Sequence, residues 1–152
     1  MQLRKQIHNL LLAVLTTAGL QAGSAFAHGV SEVMDVQGDD AAFTALARVT
    51  CFNDGNGEAA YLMSRIRDKS PAIPGLLVTV HILKGGRAIN ATDTSPGDAD
   101  YSVWAALPGG NGVYLLMLTK TAAGARAFDL EWHCMTADNV HTGTDILVDQ
   151  YD

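Results

Sequence analysis

Positive charge is scarce in this chain, with 10 Lys and Arg against 16 Asp and Glu in 152 residues. Two of the ten, Arg4 and Lys5, fall in the first 27 residues, so the 125 that follow carry eight basic side chains and a formal charge of −8. A surface this poor in Lys and Arg opposes phosphate neutralisation, so no nucleic-acid partner is expected and an anionic membrane surface is disfavoured. Long apolar runs are also missing. The longest, Leu10 to Leu20, is broken by Thr16, Thr17 and Gly19 and falls short of the ~20 residues a spanning helix needs, so no membrane span is expected. No apolar 3.6-residue period lasts three turns; at most there is a short turn around Asp39 to Thr44. There is no G-x-S-x-G, no H-E-x-x-H and no phosphate-cradling loop before a helix, so the balance leans against an enzyme. Disorder is excluded as well, because apolar residues make up 48% of the chain and charged ones 17%.

The chain does have a leader. Arg4 and Lys5 precede the apolar stretch, and Ala25-Phe26-Ala27 supplies a small-x-small cleavage signature, the pattern of a secretory signal peptide over residues 1–27. Cleavage after Ala27 leaves a single domain, 28–152, in the periplasm or outside the cell. In such an oxidising compartment the two cysteines, Cys51 and Cys134, are expected to pair in a disulfide. A shared metal is the rival reading, but they lack the C-x-x-C spacing that places two thiolates on one ion.

After the leader, segments near 44–53, 59–67, 75–84, 87–92, 101–107, 112–120, 126–135 and 144–149 are rich in β-branched, aromatic and aliphatic residues. Gly-, Pro- and Asn-bearing clusters separate them, among them Lys84-Gly85-Gly86 and Pro108 to Gly112, the latter reading as a hairpin because no helix follows it. Strands at about ten-residue intervals predict an all-β fold, an antiparallel β-sandwich of about 7–8 strands with one disulfide. Alternation places Leu76, Val78, Val80 and Ile82 inward and turns His81 outward. It likewise places Phe128, Leu130, Trp132 and Cys134 inward, with His133 on a wet opposite face. The segment Val113 to Leu118 is apolar on both parities and reads as a central strand covered on both sides. Asn53-Asp54-Gly55-Asn56-Gly57-Glu58 has the oxygen ligands of a calcium loop but not an EF-hand's distal Glu, and reads instead as a hairpin turn. Trp132-His133-Cys134, with Cys51 near the start of the body, resembles the aromatic-x-Cys of immunoglobulin-like sandwiches, which implies that architecture.

Chemistry is expected at His28. If the mature chain begins there, its α-amine and ring Nδ1 can close a chelate on one metal ion, and both are neutral donors near pH 7 with little penalty. Nitrogen donors of this kind suit Cu(II). This terminus is similar to the histidine brace of secreted copper proteins on β-sandwich scaffolds, the lytic polysaccharide monooxygenases and the small periplasmic copper carriers; the match is carried by His28 alone. The resemblance implies copper as the cofactor and a second histidine as ligand. Candidates are His141, in the Thr136 to Gly143 loop, then His133, then His81, with Met135 as a soft ligand for Cu(I). The alternative function is a metal-free structural module that contacts protein or polysaccharide through an exposed aromatic patch containing Tyr61, Tyr101 or Trp104.

Overall fold

The computed structural model describes residues 28–152; the expected signal peptide lies outside the described residues. Among the described residues nine strands follow one another: β1 (His28–Met34), β2 (Thr44–Phe52), β3 (Tyr61–Asp68), β4 (Val78–Lys84), β5 (Arg87–Asp93), β6 (Ala105–Pro108), β7 (Gly112–Lys120), β8 (Arg126–Met135) and β9 (Gly143–Tyr151). They form two antiparallel sheets, β1-β8-β3-β6 and β5-β4-β7-β2-β9. The all-β sandwich is therefore as the strand spacing predicts, with β1 as the added strand. No helix among the described residues is long and apolar enough to cross a membrane.

Alternation builds the core. Val78, Val80 and Ile82 of β4 face Leu62 and Ile66 of β3, and all five are fully buried. Side chains of this size each contribute roughly 1.5–3 kcal/mol on burial. Cys51 on β2 and Cys134 on β8 form a disulfide, Cα–Cα 5.5 Å, which ties one sheet to the other through the core. At one end of the sandwich, inward positions hold charges rather than hydrocarbon, and these are paired. Asp68 accepts from Arg126 at 2.6 Å, and the same guanidinium donates to the Ser70 and Pro71 carbonyls. Lys120 donates to Asp35 at 2.6 Å and to the Asp40 and Ala122 carbonyls. Buried ions are tolerated only when every donor is answered in this way.

Three expectations about local structure need correction. The Asn53–Glu58 and Pro108–Gly112 segments are not hairpins: each links strands of opposite sheets, β2 to β3 and β6 to β7. The tight hairpin is Gly85-Gly86 between β4 and β5, where φ values of 57° and 75° meet the double positive-φ demand of a type I′ turn. β7 is central in its sheet but covered on one face only, since Val113 and Leu115 are exposed on the other. The outer face of β8 is not wet, because Asp129 and His133 are buried.

Candidate functional site: a histidine cluster at the end of β8

The dry outer face of β8 follows from what lies beside and above it. In register, β3 sets Arg67 opposite Asp129, Arg65 opposite Glu131, Met63 opposite His133 and Tyr61 opposite Met135. The first two pairs are ion pairs, Arg67–Asp129 at 2.5 Å and Arg65–Glu131 at 2.7 Å, and Lys69 also reaches Asp129. Beyond the short β6, the segment before Ala105 stays against β3: Ser102 N–H donates to the Ile66 carbonyl and Ser102 Oγ accepts from Ile66 N–H. That course lays Tyr101 and Trp104 across the face. The Arg65 guanidinium sits 4.2 Å from the Tyr101 ring centroid and 4.4 Å from that of Trp104, cation–π distances. The Trp104 ring in turn lies 5.6 Å from His133. Tyr61 donates to Asn139 Oδ1. The three aromatics are half-buried and engaged, rather than an exposed patch.

Two more histidines come close to His133. After Met135 the chain turns back tightly. Thr136 N–H donates to the Val140 carbonyl, Thr136 Oγ1 accepts from Val140 N–H, and Asn139 takes φ 60°, a left-handed value that Asn tolerates. The turn bridges Met135 to His141 and brings the His141 ring to 4.3 Å from His133. His28 arrives by a different route. It opens β1, which pairs with β8 so that His28 stands opposite Trp132, and its ring centroid lies 6.4 Å from His133 and 6.3 Å from Trp132. Residues 28, 133 and 141 thus converge at one corner of the four-stranded sheet.

Burial favours the neutral form of two of these rings, His28 and His133. Burial, then the neighbouring His141, lowers His133 to about 4, and the same two causes lower His28. Among the described residues, the buried side-chain nitrogens and oxygens without a hydrogen-bond partner are His28 Nδ1, His133 Nδ1 and Trp132 Nε1. Such orphans are uncommon in folded proteins and call for an explanation. By side chains alone, no group of three or more His, Cys, Asp and Glu among the described residues is arranged to hold a metal ion.

The other candidates stand elsewhere. His81 lies on β4 in the five-stranded sheet, where its Nε2 pairs with Thr119 Oγ1 at 3.0 Å. Met135 is buried beside the cluster on β8. The Asn53–Glu58 oxygens are already spent on hydrogen bonds within the protein. Asn53 Oδ1 accepts from Gly55 and Gly57 N–H, Asp54 Oδ1 accepts from Asn56 N–H, and Glu58 accepts from Asn53 and Asn111. Sequence reasoning missed Arg65 as a partner of Trp104; the cue was the Arg65/Arg67 alternation facing Asp129 and Glu131. The chain matches no protein-family model, no curated protein and no solved structure.

Proposed function

We propose that this is a secreted copper-binding domain in which cleavage after Ala27 frees the His28 α-amine. The amine and His28 Nδ1 then form a chelate completed by an imidazole of the His133–His141 pair. The observation that carries this reading is the convergence of the three histidines, with Nδ1 of both His28 and His133 buried and without hydrogen-bond partners. Such nitrogens lose nothing by binding an ion, having no protein hydrogen bond to give up. The amine supplies the donor that side chains alone do not. Burial keeps His133 unprotonated at neutral pH, so protons compete weakly for it. Copper held by such donors is a redox-capable ion in a nitrogen-rich site; the reading extends to binding and not to catalysis. The disulfide accords with an oxidising compartment, and the −8 charge favours cations near the surface.

The metal-free alternative, a module binding protein or polysaccharide through Tyr61, Tyr101 and Trp104, has less support, because those rings are engaged with Asn139 and Arg65. A Cu(II) titration against competing glycine, on chain beginning at His28, tests the proposal. Whichever of His133→Ala and His141→Ala removes the completing imidazole should weaken binding about tenfold or more, about 1.4 kcal/mol per tenfold, while His81→Ala leaves it unchanged. Equal effects of all three substitutions, or none from any, would contradict it.

A further inference from the structure

The five-stranded sheet turns one face to the core, and no segment among the described residues covers the other, where Val113 and Leu115 of β7 are 49% and 39% exposed. The four-stranded sheet differs, because Tyr101 and Trp104 lie across its outer face on Arg65. In the order β5-β4-β7-β2-β9, β7 is the middle strand, two strands from either edge. Cross-strand partners share a face, and one row of partners crosses the open face from edge to edge: Ala88, Leu83, Leu115, Arg48 and Leu147. Arg48 is held by Asp149 at 2.7 Å, so the single charge in the row is neutralised. A sheet of five strands, seven residues long as in β4 and β5, spans roughly 24 by 23 Å, or roughly 550 Å². Two such faces brought together remove about 1,100 Å² from water, above the roughly 1,000 Å² expected of a specific interface.

The two ends of the row complement each other. On the β4–β5 side Leu83, Ala88, Val113, Leu115 and the Gly85-Gly86 turn line a hollow of about 430 Å³. On the β9 side Leu147 projects, 57% exposed. Charge follows the same division. Of the eight basic side chains after residue 27, six are ion-paired. The other two, Lys84 and Arg87, flank the Gly85-Gly86 turn and have no carboxylate partner among the described residues. Asp145, exposed and likewise without a cation partner among the described residues, stands two residues before Leu147. Its neighbour in register is Thr50, which stands opposite Val113, so Asp145 lies at the same end of the sheet as that turn. Projection and hollow, acid and bases, are thus set two strands to either side of β7. A two-fold axis along β7 lays β9 of one copy over β5 of the other. It seats each Leu147 in the other copy's hollow, brings each Asp145 to the other's Lys84–Arg87 turn, and sets Leu115 against Leu115.

From this self-complementarity we infer that the outer face of the five-stranded sheet is an isologous interface between two copies of this chain. The −8 charge of each copy is screened beyond about 8 Å at physiological salt, and the histidine cluster belongs to the other sheet, outside the interface. Sedimentation equilibrium of chain beginning at His28, in EDTA so that no metal bridges two copies, tests the inference at about 1 to 100 µM. The expected result is a reversible dimer. Leu147→Glu should raise its dissociation constant at least about tenfold. Leu115→Lys and Leu115→Glu should each be monomeric alone and dimerise when mixed, since residue 115 meets its own counterpart. Asp145→Arg and Arg87→Glu, both at exposed positions, should each weaken the dimer, and the two together in one chain should restore it. Melting temperatures equal to that of the dilute parent show that each variant keeps its fold. A parent that stays monomeric throughout, leaving the face to a different protein, would overturn the inference. So would a dimer undiminished in Leu147→Glu, or Leu115 variants that remain monomeric on mixing.

Discussion

Replacing Cys51 and Cys134 together by alanine removes the link between the sheets at small steric cost, since both positions are buried and alanine fits each. The cross-link spans 83 residues. In the chain-entropy account, the unfolded-state freedom removed by closing such a loop is worth about 4.5 kcal/mol at 25 °C. A domain of this size is stable by roughly 5–15 kcal/mol, so the double variant should keep its fold with little reserve. Urea unfolding followed by tryptophan fluorescence is the assay. With a slope of about 1.5 kcal/mol/M, the midpoint should fall by about 3 M. The slope itself should rise, because the unlinked chain exposes more surface when it unfolds. The substitution also acts on the candidate site: the Thr142 N–H donates to the Cys134 carbonyl and Cys134 N–H donates to Thr144 Oγ1, holding the turn that carries His141. A midpoint shift below about 1 M with an unchanged slope would refute the reasoning.

Other consequences are equally direct. Asp68→Asn leaves Arg126 buried without its counter-ion and should cost about 3–5 kcal/mol, read from the same urea curves, whereas Asp68→Leu with Arg126→Met should cost distinctly less. In the metal-free protein, His133 titrates near 4 when folded and near 6.5 when unfolded. The unfolded chain binds the extra proton in that interval, so the His133 contribution to stability is complete above about pH 6.5 and is lost as pH falls towards 4. Melting temperatures between pH 7 and 4.5 should therefore drop less steeply in His133→Asn than in the parent; parallel curves would show that the ring is not shielded as described.

The parts of the fold legible in the sequence are those set by strict alternation. Leu76, Val78, Val80 and Ile82 all lie in the core, and Cys51 and Cys134 pair as compartment and count predict. What the residues did not disclose depends on long-range placement. β1 has no apolar signature, because an edge strand with five consecutive exposed residues needs none; its pairing with β8 is what carries His28 to the cluster. The dryness of His133 comes from Trp104 and His141, separated from it in the chain or folded back onto it, and alternation along β8 cannot register a cover supplied by another segment. Glycine-rich loops that cross between sheets read like hairpins, since both need the same turn chemistry and differ only in where the next strand lands. The placing of His141 was more accessible, because a turn of Thr136 to Val140 after a strand end implies a return towards that strand.

The central claim, that the His28 amine is a donor, is tested most directly by comparing two forms of the protein that differ only at the N-terminus. One begins at His28; the other carries a single alanine before it, which converts the amine to an amide and leaves all three imidazoles in place. Competition for Cu(II) against glycine, followed by native mass spectrometry, should show one copper held by the first form and its loss from the second. Equal retention by both would contradict the account.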